Sequence, residues 1–306
     1  MCTPPPTEMI KFVPGHGHYC RGRVLGHGMS SCVYEMLPLD YSGKVVPIAM
    51  KHIEKERLDN LRLAAIAAEH DIIQRISAAV VENNALPASK RHPGAQHVLH
   101  LIHYEETATD IFFYTPLAQD GDVITFSEYL YGRTKSMDIP LPLIRSMFVQ
   151  IAMALDFVHT KTRIVHRDVK LDNILVVSHE PMKILLGDWG LAEVIPEGDN
   201  PFMSKLCGSV FYLAPEMILG EPYDGTLVDM WSLGIVLYML CYINQPFGLP
   251  DATFKQITRA IIENELVFPP NANDVVTDLI QCLLRKDPTE RYRLHRVFQH
   301  PFVRDV

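Results

Sequence analysis

Nine consecutive residues, Val165-His166-Arg167-Asp168-Val169-Lys170-Leu171-Asp172-Asn173, hold two carboxylates, two cations and a side-chain amide. Fifteen residues past Asn173 stands Asp188, in Asp188-Trp189-Gly190, and Ala214-Pro215-Glu216 comes later. Asp168 can accept or orient a hydroxyl proton, and Lys170 can neutralise a migrating phosphoryl group. Asn173 and Asp188 offer the hard oxygen atoms that magnesium takes. Phosphoryl transfer from a nucleotide needs these groups together, because its catalysis is mostly positioning and charge neutralisation. A turn with an Asp and an Asn arises easily by chance; the whole run with Asp188 at that distance does not.

Two weaker signals lie upstream. Gly26-His27-Gly28 sits between two strand-like segments, where glycines let backbone N–H groups approach phosphate oxygens. Alone it is equally an ordinary hairpin, and Cys32-Val33-Tyr34 is not the helix start that a dinucleotide fold would want. Ile48-Ala49-Met50-Lys51 places a lysine among apolar residues on a strand, where it must find a counter-charge or reach the surface. Glu69, eighteen residues on, falls on a predicted helix and could be that partner. A solvated carboxylate is the commoner fate of a lone helical Glu.

The elements that must carry these residues follow from hydrophobic periodicity. Strand patterns fall at residues 19–25, 32–37, 47–52, 98–104 and 111–114. A helix spans about 60–76, with Leu63, Ile66, Ile73 and Ile76 as its apolar positions. Helical periodicity then dominates, at 143–159, 228–242, 253–263 and 275–285. A strand-rich first third and a helix-rich remainder predict an α+β fold rather than alternating units. Residues 1–18, rich in Pro, Gly and His, read as a flexible tail. Residues 78–96, small, polar and with two prolines, read as a loop insertion.

The totals set outer bounds. The chain has 306 residues, 48% of them hydrophobic and 21% charged, as in ordinary soluble proteins. Of the net charge of −8, residues 1–115 carry −1 (11 basic, 12 acidic) and the remainder −7 (17 basic, 24 acidic). This disfavours nucleic acid as a partner. It is compatible with acceptors that carry basic flanks, but a solubilising surface is the commoner reason for such an excess. The six cysteines form no Cys-x-x-Cys pair, which points away from a disulfide framework or zinc site and toward a reducing compartment. The start of the chain has no basic, apolar leader pattern. The longest apolar segment, 227–243, carries Asp229, Ser232 and Gly234 and is shorter than the roughly 20 residues a spanning helix needs. It reads as a buried core helix, so no membrane association is expected. The expected location is the cytoplasm, the nucleus or both; oligomeric state stays open.

From about Tyr19 to Val306 the chain resembles a eukaryotic protein kinase of the serine/threonine type, of the calcium/calmodulin-dependent or a related group. The matching features are Gly26-x-Gly28-x-x-Ser31-x-Val33, Ala49-Met50-Lys51, Glu69, the run His166 to Asn173, Asp188-Trp189-Gly190 and Ala214-Pro215-Glu216. Asp229-Met230-Trp231-Ser232-Leu233-Gly234 and Arg291 extend the match. The resemblance implies a bilobal fold, with residues 19–115 as a small β-rich lobe and 116–306 as a larger helical one. It implies ATP and Mg2+ as cofactors and a protein Ser or Thr hydroxyl as acceptor.

The implied roles run residue by residue. Lys51 would hold the α- and β-phosphates and pair with Glu69. Leu25, Gly26, Gly28 and Ser31 would cover the nucleotide, and Val33, Ala49 and Leu175 would sandwich the adenine. Thr115 and Leu117 would offer backbone groups to the adenine edge. Asp168 would be the base, Lys170 the phosphoryl clamp, and Asn173 and Asp188 the metal ligands. Glu216 would pair with Arg291, and Asp229 would anchor the catalytic-loop backbone. Lys170 and Ser209 point to Ser/Thr acceptors. Asp122, Asp172 and Glu221 stand where similar kinases hold an upstream arginine.

The departures are Ser31 in place of a third glycine, Trp189 in place of Phe, and Pro116 in the hinge. In the activation segment, 188–216, Lys205 occupies the position of the phosphorylated Thr in many relatives. Lys205 cannot neutralise Arg167. Either Ser204 takes a phosphate or none is needed. Two further readings of the residues stand beside the enzyme: a nucleotide-binding pseudokinase, supported by Ser31 and Trp189, and a small-molecule kinase, which would lack Ala214-Pro215-Glu216.

Overall fold

Side chains alternate across the strands of the first lobe, and this alternation makes one face of the sheet a site and the other a core. The computed structural model describes residues 10–28, 30–39, 46–134, 139–198 and 201–304. The strands are β1 (Ile10–Val13), β2 (Gly17–His27), β3 (Ser31–Pro38), β4 (Ile48–Glu54), β5 (His103–Glu106) and β6 (Asp110–Pro116), in the antiparallel order β1-β2-β3-β4-β6-β5. The pairing sets Val33 opposite Lys51 opposite Phe113, and Ala49 opposite Thr115. These inner positions face the helical lobe. The neighbouring positions Cys32, Tyr34, Met36, Ile48, Met50, Phe112 and Tyr114 form a second core on the outer face.

That outer core is closed by residues expected to be a flexible tail. β1 pairs with β2 through a turn in which Gly15 and Gly17 hold φ of 77° and 95°. Val13 and Tyr19 are fully buried. From β1, at one end of the strand order, Lys11 pairs with Glu105 on β5, at the other end, at 2.9 Å. Its ammonium also lies 4.0 Å from the centroid of the Phe112 ring. The sheet therefore curls far enough for side chains of its two edge strands to meet. Four strand residues are too few to show a period, so the reading of residues 10–18 as a tail is corrected; residues 1–9 lie outside the described residues.

The helix α1 (Asn60–Ala85) starts at Asp59, whose carboxylate accepts from the Arg62 N–H at 2.8 Å. It runs nine residues beyond the predicted end at 76. The expected loop insertion at 78–96 is thus corrected: residues 78–85 continue the helix, and short 3-10 turns at 88–90 and 93–97 follow. Asn83 secures the exit by accepting from His92 N at 2.7 Å and donating to His92 O at 3.3 Å. Ala and Val carried the helix where no strong apolar stripe marked it. Residues 98–102, predicted as strand, are mostly extended connection, with Val98 bridging Leu186.

The second lobe holds α2 (Val123–Thr134), α3 (Leu141–Phe157), the strand pairs β7 (Ile164–Val165) with β10 (Glu193–Val194) and β8 (Ile174–His179) with β9 (Met182–Leu186), then α4 (Pro215–Ile218), α5 (Gly225–Tyr242), α6 (Phe254–Glu263), α7 (Asp274–Leu283), α8 (Leu294–Gln299) and α9 (Pro301–Arg304). The sequence reading assigned nothing to α2, whose β-branched and aromatic residues mask it. Its signal was Asp122, which accepts from Thr125 N at 2.7 Å. Among the described residues α3 (with its extension to Thr162) and α5 are long and apolar enough to cross a membrane. Most of α5 is instead buried in the core, as expected of a helix apolar on all sides. Together the lobes make the α+β, bilobal arrangement.

Candidate active site

The inner face of the sheet and the first turns of the helical lobe enclose a cleft of about 570 Å³. Its roof is the β2–β3 hairpin, closed by Gly28 N donating to Ser31 O at 2.8 Å. A Cβ added to Gly26 would meet nothing within 4 Å, so this glycine borders open space that a ligand can enter. A Cβ on Gly28 would lie 2.4 Å from Ser31 Oγ. Ser31 therefore packs on Gly28 and leaves the roof intact. Leu25, Val33, Ala49 and Leu175 line the walls, and Thr115, Pro116 and Leu117 the hinge.

Lys51 projects from the inner face because it sits between outward-facing Met50 and His52. Its Nζ lies 2.8 and 3.1 Å from the two carboxylate oxygens of Glu69 on α1. The counter-charge demanded by a strand lysine among apolar residues is therefore present. This ion pair also ties α1 to the sheet.

The catalytic loop is held from beneath. Asp229, fully buried on α5, accepts from His166 N at 2.9 Å, Arg167 N at 2.8 Å and His159 Nε2 at 2.7 Å. Burial pushes its carboxyl up, but His159, with His166 behind it, outweighs burial and the net shift is downward. Arg167 and Asp188 both adopt left-handed backbone, with φ of 62° and 60°. Such conformations persist where surrounding contacts fix them.

Asp168 stands at the convergence. Lys170 Nζ lies 2.8 Å from its Oδ2 and donates to Ser209 Oγ at 3.0 Å, while Ser209 N donates to Asp168 Oδ1 at 2.9 Å. Burial pushes the Asp168 carboxyl up; the hydrogen bond and charge of Lys170, with Ser209, more than offset this and hold it below the usual carboxylate range. Asp168 is thus ionised at neutral pH. Gly208 makes the approach feasible, since with φ of 108° its Cβ would fall 2.8 Å from Arg167 O.

Asn173 donates its amide nitrogen to Asp168 O at 2.8 Å and Oδ2 at 3.2 Å. That orientation leaves the amide oxygen as its ligand atom. Asn173 and Asp188 line the same cleft. An amide oxygen and a carboxylate fit magnesium, which takes one or two protein oxygens and completes its shell with phosphates and water.

Trp189 lies buried beside His166, ring centroids 4.8 Å apart, and its indole N–H donates to Leu99 O at 2.9 Å. The sequence showed the larger ring but not its acceptor, a backbone carbonyl ninety residues away. Trp189→Phe leaves that carbonyl unpartnered and a gap beside it. A stability loss of roughly 1–3 kcal/mol is expected, read from the shift in urea midpoint.

Of the other expected residues, Asp122 and Asp172 line the cleft, while Glu221 is exposed outside it. Glu216 and Arg291 form a buried bidentate pair at 2.7 and 2.9 Å. Ser204 is exposed. The carboxylate that meets Arg167 is that of Glu193, which the sequence reading missed.

This fold, with a lysine–glutamate pair over a glycine-edged cleft and an Asp-Lys-Asn cluster beneath, defines a protein kinase domain. Residues 19–303 match the protein kinase domain family, and the chain belongs to it. It is 27% identical over 290 residues to the SNF-related serine/threonine-protein kinase of Rattus norvegicus, covering 95% of this chain and 35% of that protein. It is 32% identical over 292 residues to the serine/threonine-protein kinase DCLK3 of Homo sapiens, covering 94% and 40%. A third relative is CBL-interacting protein kinase 19 of Oryza sativa subsp. japonica, 29% identical over 287 residues, covering 92% and 50%. The chain therefore spans between about a third and a half of the length of these relatives.

Proposed function

We propose that this chain is a magnesium- and ATP-dependent protein kinase that phosphorylates Ser or Thr hydroxyls. The observation that carries the reading is the meeting of Asp168, Lys170, Ser209 and Asn173 beside a cleft that also holds Lys51, Glu69 and Asp188. The adenine would lie between Val33, Ala49 and Leu175, with the backbone of Thr115 and Leu117 at its edge. Lys51, fixed by Glu69, would hold the α- and β-phosphates. Asn173 and Asp188 would hold magnesium, which when bound screens the phosphate charge.

Asp168 orients the acceptor hydroxyl and takes its proton. The hydroxyl oxygen bonds to the γ-phosphorus as the bond from that phosphorus to the β–γ bridging oxygen breaks, and ADP leaves. Lys170, anchored on Asp168 and Ser209, meets the charge on the transferring group. The carboxylates of Asp122 and Asp172 at the cleft support an acceptor peptide with a basic residue near its target. A positional peptide library tests this: equal turnover with and without Arg or Lys removes it.

The decisive experiment incubates the purified chain and magnesium with γ-labelled ATP and protein, peptide or small-molecule acceptors. Label on Ser or Thr of protein or peptide is expected. Nucleotide binding with no transfer supports the pseudokinase reading instead, and label on small molecules alone supports the third. Ser31 and Trp189, the residues that favoured a pseudokinase, are both accommodated by local packing, so neither favours it further.

A further inference from the structure

We propose that Glu193 is a positioning residue that holds Arg167, and through it Asp168, in working geometry with no phosphate on the activation segment. The inference rests on the kinase reading above and concerns how that same site stays assembled.

Arg167 adjoins Asp168, and its side chain is only 4% exposed, so its charge must be met within the protein. Its Nε donates to Leu191 O at 2.9 Å, and its Nη1 lies 3.4 Å from Tyr223 Oη. Both of these acceptors are neutral. Glu193 supplies the anion, with Oε2 at 2.5 Å from Arg167 Nη1. Charge-assisted bonds of this kind are the strong ones.

The backbone delivers Glu193 to this place. β10 pairs antiparallel with β7, which sets Glu193 opposite Val165, two residues ahead of Arg167. Ile195 N donates to Arg163 O at 2.7 Å and extends the ladder. The carboxylate thus belongs to the sheet that carries the catalytic loop, whereas Ser204 lies on an exposed stretch beyond it. Lys205, at the position where many relatives carry phosphate, is turned to the same cluster through its backbone: its carbonyl accepts from Tyr223 Oη at 2.7 Å. The negative charge that Arg167 requires is covalently built in ahead of that position.

The test compares the untreated chain with chain stripped by phosphatase to its unmodified mass, using one peptide and Mg-ATP. The expected kcat is the same within about twofold, and Ser204→Ala matches wild type. Glu193→Gln is expected to lower kcat roughly ten- to a hundredfold, with the KM for ATP little changed; leaving the buried Arg167 guanidinium without its anion also lowers the Tm, so kcat is read at a temperature where the variant is folded. Glu193→Asp, which restores the charge on a shorter arm, recovers part of the loss. Loss of turnover on phosphatase treatment, or a Glu193→Gln variant as fast as wild type, overturns the role of Glu193 alone. The phosphatase comparison needs no variant and so stands whether or not Glu193→Gln folds. Absence of transfer by the untreated chain overturns the kinase reading itself.

Discussion

Asp168→Asn is expected to lower kcat by roughly a hundred- to ten-thousandfold while ATP still binds. The amide keeps the size of the carboxylate and still accepts from Ser209 N. It cannot take the hydroxyl proton, and it gives up the ion pair with Lys170 at 2.8 Å. Steady-state kinetics measures the loss, and nucleotide titration of the variant separates it from a binding defect. Turnover within tenfold of wild type would remove Asp168 from the proposed mechanism. The direction of its pKa shift adds a pH expectation. Because the carboxyl is held below its ordinary range, it loses its proton-accepting form only as pH falls through that lowered value. From mildly acidic to neutral pH, this group should leave the rate flat. The same sign holds for stability: the contribution of Asp168 is present above the unfolded carboxylate range and is lost as pH drops through the folded value.

The largest effect on stability is expected at the other end of the activation segment. Arg291→Met should cost about 3–5 kcal/mol, because Glu216 is left as a buried carboxylate without a partner. Arg291 also donates to Leu227 O at 2.9 Å and Arg285 O at 3.1 Å, and its guanidinium lies 5.1 Å from the Trp231 ring. These contacts join the activation segment to α5 and the connection after α7. The double variant Glu216→Leu/Arg291→Met should be more stable than Arg291→Met alone, since no orphan charge remains. Denaturant midpoints decide it; a double variant no better than the single one would place the cost in lost packing around Trp231 rather than in the charge.

The residues of the site were legible because phosphoryl chemistry admits few substitutes. A carboxylate, an ammonium and hard oxygen ligands at fixed spacing leave little room for another reading, and Lys51, Glu69, Asp168, Asn173 and Asp188 do share one region. A lysine among the apolar residues of β4 likewise called for a counter-charge, and Glu69 supplies it. Three features were not legible, each for its own reason. β1 is too short to show a period and gains its stability from pairing and from the buried Val13. α1 continues past 76 on Ala and Val, which carry little pattern. The partners of Trp189 and Arg167 are settled by tertiary approach: Leu99 contributes only a carbonyl, and Glu193 reads in isolation as an ordinary surface acid.

The curled sheet bears on where the small lobe begins as a folding unit. The family match starts at residue 19, yet Val13 fills space under the outer face and Lys11 links the two ends of the strand order. A fragment trimmed to the match would strip one wall from the apolar interior around Met36, Met50 and Phe112 and leave that side wetted. The hairpin that roofs the cleft grows from the same long strand, β2. For this chain, then, the residues just ahead of the family boundary are part of what keeps the roof in place.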